Sequence, residues 1–133
     1  MLAVLWTRIF LASAGLLGAS AVAVSAAAAH LLVARLGPVE LDWVKTASHY
    51  QMVHAVALFV CAAMVNFSRF RAGVTLAGFC FLVGVLCFSG SLYAMVITGQ
   101  KAFAAVTPFG GFALIVGWLS LLWAGLQQIP PEA

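Results

Sequence analysis

Four long apolar runs, separated by short polar connections, constrain this chain more than any other feature. The runs cover about residues 5–33, 50–67, 73–97 and 109–126. A helix needs about 20 apolar residues to cross a bilayer. Because lipid offers the backbone no hydrogen-bond partners, runs of this length predict transmembrane α-helices. The sequence therefore predicts an all-α integral membrane protein, with residues 1–133 forming a single membrane domain.

The composition agrees with a membrane location. Of the 133 residues, 65% are hydrophobic and only 7% are charged, whereas a soluble domain carries about 25% charged residues. The net charge of +3 comes from residues at the ends of the apolar runs, so it bears on topology and predicts no nucleic-acid partner. The three cysteines lie within apolar runs and form no CxxC motif, so we interpret them as packing residues.

The short connections predict an antiparallel four-transmembrane-helix bundle with both termini on one side. The terminal side holds Arg8, Arg69 and Arg71, and the opposite side holds Arg35, Lys45 and Lys101. These counts are equal. The arginine pair in the short middle connection favours an N-in/C-in orientation under the positive-inside rule. The first run is about twice as long as the apolar part of a signal peptide, so we expect it to be retained.

Small residues recur at helical spacing in two of the runs. Small side chains let helix backbones approach closely in lipid. We therefore predict helix contact faces at these positions in the first and fourth helices: Gly15, Ala19, Ala23, Ala27, Gly110, Gly111 and Gly117.

Polar side chains gather toward one predicted end of the bundle. In an antiparallel bundle the ends of the first and third helices and the starts of the second and fourth share one membrane face. We therefore expect one polar layer about one to two turns below that face. His30 shares the small-residue stripe of the first helix, so we expect it to point into the bundle. The polar layer comprises His30, Tyr50, Gln51, His54, Ser89, Ser91, Tyr93 and Thr107.

The polar layer admits several interpretations. Its groups can hydrogen-bond between helices and set their register, or they can bind a quinone or lipid headgroup. His30 and His54 could also ligate a haem iron from both sides, whereas a zinc site would need further ligands. A transport path would need polar groups through the whole depth. No acidic residue lies within a span, and Ser89 and Ser91 lack the sequence context of a nucleophile, so we expect no enzymatic activity. We also expect no metal and no cofactor.

Several short motifs occur in an order that resembles a known family. They are "AAHLL", "YQMVHAVAL", "CFSGSLYAMVITG", "VTPFGG" and "GW". Together they resemble the small bacterial membrane proteins of domain-of-unknown-function family 423, whose animal relatives are called transmembrane protein 256. The resemblance covers nearly the whole chain. It implies four transmembrane helices in an inner-membrane or mitochondrial setting, and it brings no established activity or cofactor.

Beyond the polar layer, the resemblance carries over these motif positions: Gly90, Thr98, Gly99, Pro108, Gly110 and Gly111. The chain departs from the family in its first helix, where "SAAAAH" replaces a glycine-containing approach to the histidine. We expect a non-enzymatic accessory or stabilising subunit of a larger membrane complex, or a homo-oligomer, in contact with lipids of the bacterial inner membrane. The alternative is a binding module for a quinone, lipid or haem at the polar layer. A small oligomeric transporter is a third interpretation.

Overall fold

Four long helices make up the fold of the chain. A computed structural model describes residues 2–66 and 71–127, so the predicted loop cation Arg69 lies outside the described residues. Each helix is long and apolar enough to cross a membrane, and the described residues form no strand. The predicted all-α integral membrane fold is confirmed. The helices are α1 (Leu2–His30), α2 (Pro38–Met64), α3 (Arg71–Thr98) and α4 (Thr107–Leu126), with 3-10 helices at Leu32–Ala34 and Lys101–Ala105.

Helix α2 begins at Pro38 and not near residue 50, where the apolar run starts. A proline fits the first helical position because its missing N–H would have no partner there. The following segment packs one of its faces onto α3, with Trp43 and Ala47 against Leu92 and Met95. The polar connection predicted between the first two helices is therefore mostly helical.

Helices α2 and α3 form the centre of the bundle. Helix α1 packs along α2, and α4 packs along α3, so the two outer helices lie on opposite sides of the central pair. Only 17% of the apolar window of α1 is buried, against 50% for α2. Helix α1 therefore leaves most of its surface to the lipid.

The contact between α3 and α4 depends on glycines that admit large neighbours. Gly110 lies against the backbone of Phe88, and a methyl group added at Gly117 would lie 2.6 Å from the ring of Phe81. Close approach of two helices over small residues supplies the dispersion energy that holds helices together in lipid. Gly111, beside Gly110, has ordinary contact distances to Phe88.

The stripe predicted as the contact face of α1 points outward, so that prediction is wrong. Gly15, Ala19 and Ala23 are exposed, and Ala27 is only partly buried. The buried residues of α1 are Phe10, Ala14, Ala21 and Ala28. Because small residues occur on several faces of α1, spacing alone does not select one. The large ring of Phe10, fully buried in the core, identifies the inner face.

We assign membrane depth from α4, the shortest of the four helices. Its 20 residues rise about 30 Å, which matches the hydrocarbon thickness of a bilayer. Thr107 therefore marks one edge of the hydrocarbon, and Gly117 lies near its centre. Because Gly117 packs on Phe81, the middle of the membrane passes through that part of α3.

Candidate functional site

His54 is buried near the middle of the membrane, and both of its ring nitrogens are hydrogen-bonded. Its Nδ1 lies 2.7 Å from the carbonyl oxygen of Tyr50, which can only accept, so Nδ1 carries the proton. The indole Nε1–H of Trp118 donates to Nε2 at 3.1 Å, so Nε2 is the acceptor. These two partners define a neutral imidazole in the Nδ1–H tautomer that ties α2 to α4.

Aromatic rings surround this imidazole. The ring centre of Phe81 lies 5.3 Å from that of His54 and 5.0 Å from that of Trp118. The ring of Tyr50 stacks at 6.1 Å from the imidazole and contacts Phe88 at 4.6 Å. The rings fill the space around the imidazole and hold it in one orientation.

Gln51 connects three helices through its side-chain amide. Its Nε2 donates to the carbonyl oxygen of Leu17 at 2.9 Å and to the hydroxyl of Ser20 at 2.7 Å, both on α1. Its Oε1 accepts a hydrogen bond of 2.9 Å from the hydroxyl of Tyr93 on α3. Both amide hydrogens and the carbonyl are therefore used between helices.

Two serines of α3 make the remaining links near the Thr107 edge. Ser89 donates to the carbonyl oxygen of Ala47 on α2 at 2.8 Å. Ser91 donates its one hydrogen to the carbonyl oxygen of Phe88. Its 2.7 Å contact with Thr107 is therefore a bond in which the threonine donates. These bonds set the register of α3 against both of its neighbours.

The buried polar side chains of the described residues are hydrogen-bonded. Every buried side-chain nitrogen or oxygen in that part of the chain has a hydrogen-bond partner. The same part holds no group of three histidine, cysteine or acidic side chains close enough to bind a metal ion. Chemically, this arrangement can hold the helices in register.

Comparison with known proteins identifies a family and several relatives named as membrane proteins. The family described as "Protein of unknown function (DUF423)" matches residues 24–111. The chain belongs to the DUF423 family. The match spans the end of α1, all of α2 and α3, and the start of α4, and so it contains every residue of the polar layer. The predicted family resemblance is confirmed.

Curated relatives of this DUF423 protein cover nearly its whole length. A UPF0382 membrane protein of Haemophilus influenzae is 35% identical over 119 residues, which is 90% of this chain and 94% of that protein. The UPF0382 inner membrane protein YgdD of Escherichia coli K12 is 32% identical over 91% of this chain and 92% of its own length. YwdK of Bacillus subtilis, a UPF0382 membrane protein, is 34% identical over 82% of this chain and 89% of its own length. No solved structure gives a significant match.

The DUF423 chain does not place its polar side chains in one layer. His30 is exposed at the end of α1, so the prediction that it points into the bundle is wrong. Thr107, bonded to Ser91, and Trp118, bonded to His54, are eleven residues apart on α4. That spacing corresponds to about 16 Å of depth. Because Ala47 is level with Thr107, His54 lies about two turns below the membrane edge, whereas His30 lies at the end of α1. Two histidines at such different depths do not form the haem site considered above.

Tyr50 contributes its ring and its carbonyl oxygen to the site. Its side chain is 41% exposed, its ring lies against Phe88, and its carbonyl oxygen accepts a hydrogen bond from Nδ1 of His54. The other predicted residues of the layer take part in hydrogen bonds between helices: Gln51, His54, Ser89, Ser91, Tyr93 and Thr107.

Sequence reasoning missed two members of this network. Trp118 was not assigned to the polar layer, yet it lies mid-membrane and donates to His54. Its place deep within the fourth apolar run was the available signal. Ser20 is one polar residue among alanines, and its spacing gave no indication of Gln51 as a partner. At the opposite end, Asn66 donates to the hydroxyl of Thr7 at 2.7 Å, so polar links are not confined to one end.

Proposed function

We propose that this DUF423 protein is a non-enzymatic accessory subunit that stabilises a larger complex of the bacterial inner membrane. The observation that carries the proposal is the outward face of α1. This face presents small residues to the lipid and has no partner helix among the described residues: Ala12, Gly15, Ala19, Ala23 and Ala26. A helix of another subunit could approach such a face closely.

The hydrogen bonding of the interior supports a role without chemistry. The imidazole of His54, the amide of Gln51 and the hydroxyl of Ser89 are each bonded to a neighbouring helix. Groups held in this way give the chain a rigid shape, which a stabilising subunit needs. The name of the Escherichia coli relative as an inner membrane protein supports the proposed location.

The proposal can be tested with the full chain solubilised gently from its own membranes and analysed by native mass spectrometry. We expect the wild-type chain to appear in an assembly with other proteins. The double variant Ala19→Leu/Ala23→Leu should release it, because two large side chains would hold a partner helix away from α1. Thermal unfolding of the purified variant should be unchanged, since both positions face lipid.

A matched control is Ala63→Leu, which adds the same side chain at an exposed position on α2. This variant should stay in the assembly. A wild-type chain that appears alone would contradict the proposal. A reproducible small-molecule adduct on the lone chain would favour the binding-module alternative, and an assembly made only of copies of this chain would favour the homo-oligomer.

A further inference from the structure

A groove between α1 and α2 opens at the membrane edge marked by Thr107, away from the outward face of α1. Its volume is about 280 Å³, and its walls include Ser25 and Ala29 of α1 and Lys45, His49 and Met52 of α2. Lys45 and His49 are four residues apart, so they lie on one face of α2. Both side chains are exposed, and no acidic residue lines the groove.

The donors of this groove suit a phosphate group. The ammonium of Lys45 supplies a positive charge with three donors, the imidazole of His49 supplies an N–H, and Ser25 supplies a hydroxyl. Ser48 also lines the groove, but its hydroxyl donates to the carbonyl oxygen of Lys45 at 3.1 Å. Asp42 lies one turn outward from Lys45 on α2, outside the groove, so it does not occupy the anion position.

The depth of the groove matches that of lipid headgroups. Ser89 bonds to Ala47 and Ser91 bonds to Thr107, so this part of α2 is level with the first turn of α4. The hydrocarbon ends at that turn, and lipid phosphates lie just outside it. Lys45 is therefore close to the edge of the hydrocarbon and His49 lies one turn below Lys45, and both side chains tilt back toward the start of α2, where the phosphates lie.

A second, apolar groove continues from the first toward the membrane centre. Met52 lines both grooves. The deeper groove has a volume of about 250 Å³ and is floored by Gly15 and Gly18 of α1, with Ala55 and Phe59 of α2 beside them. Ala47 is level with the hydrocarbon edge, so Met52 lies about 8 Å and Ala55 about 12 Å below it, within the ~15 Å of one leaflet.

We infer that these two grooves together bind one anionic glycerophospholipid, with its phosphate between Lys45 and His49 and an acyl chain along Gly18 and Ala55. The cationic groove lies at the membrane edge, where a lipid has its phosphate, and the apolar groove lies below it, where a lipid has its acyl chains. A zwitterionic headgroup fits less well, because its ammonium would lie near the ammonium of Lys45. The inference is independent of the proposed accessory role.

The test uses the purified full chain in a neutral detergent. Native mass spectrometry measures the binding of phosphatidylglycerol and of phosphatidylcholine with identical acyl chains. We expect the wild-type chain to bind phosphatidylglycerol in preference, and Lys45→Gln/His49→Gln to bind it about tenfold more weakly or worse. Because both residues are exposed, the variant should keep the thermal unfolding of the wild type.

The matched control is Lys101→Gln, which removes an exposed cation at the same end of the bundle but outside the groove. It should bind phosphatidylglycerol like the wild type. Inorganic phosphate at the concentration of the lipid should not displace it, because it lacks the acyl chain. The inference would be overturned if the control lost as much phosphatidylglycerol binding as the double variant. Unchanged binding in the double variant, or displacement of the lipid by phosphate, would overturn it as well.

Discussion

At the scale of single residues, each buried polar group has partners that define its chemical state. A protonated imidazole at His54 would turn Nε2 into a donor facing the donor Nε1–H of Trp118. The amide of Gln51 is oriented in the same way, because the carbonyl oxygen of Leu17 can only accept. These residues therefore act as fixed links between helices.

The link between His54 and Trp118 can be measured with a double-mutant cycle. His54→Leu and Trp118→Phe should each lower the free energy of unfolding in detergent. Once one partner is gone, replacing the other should cost less. We expect a coupling of about 0.6 to 1.7 kcal/mol, the range found for hydrogen bonds between membrane helices. Purely additive effects in the cycle would show that this hydrogen bond does not hold α2 to α4.

At the scale of elements, the four helices differ in how tightly they are held. Helices α3 and α4 approach closely at Gly110 and Gly117, where a side chain on α4 would overlap Phe88 or Phe81. Helix α1 is held at its buried face by the ring of Phe10 and by bonds from Gln51. We therefore expect the α3–α4 pair to tolerate added volume least.

Adjacent glycines of α4 offer a matched test of this expectation. In Gly110→Ala, the new methyl group would overlap the backbone of Phe88, so the helices must separate. We expect a loss of about 1 to 3 kcal/mol in the free energy of unfolding, as for other overpacked cores. In Gly111→Ala the methyl group would lie 3.7 Å from the Phe88 ring, an ordinary contact, so stability should hardly change. Similar losses in the two variants would contradict the close approach.

At the scale of the whole molecule, the bundle is asymmetric in both packing and charge. The outer helix α1 offers its small-residue face on one side, and the groove beside α2 offers cations at one membrane edge. The two described arginines near the opposite edge, Arg8 and Arg71, lie at the ends of α1 and α3. How these edges relate to the inside of the cell depends on the direction of insertion.

We predict that both termini face the cytoplasm. The reason is the arginine pair Arg69 and Arg71 in the short connection between α2 and α3, under the positive-inside rule. A fluorescent protein that matures only in the cytoplasm should fluoresce when fused to the C-terminus, and alkaline phosphatase fused there should be inactive. Fusions after Gly99 should give the reverse pattern. An active phosphatase at the C-terminus would establish the opposite orientation.

The sequence by itself determined the number of helices, their membrane location and most members of the polar network. The reason is that length and hydropathy are properties of a segment and do not depend on its neighbours. The family also followed from motifs in the sequence, and its match is confirmed over residues 24–111. The start of α2 was not predicted, because the helix there depends on Trp43 and Ala47 packing against α3.

Only the tertiary structure decided which face of α1 is buried and at what depth each polar residue lies. Several faces of α1 carry small residues, so the inner face is defined by the contacts of Phe10 and Gln51 with other helices. The depth of His54 depends on where α2 begins and on its bond to Trp118. Both properties depend on contacts between helices, and the residue pattern of one helix does not specify which helix packs against it.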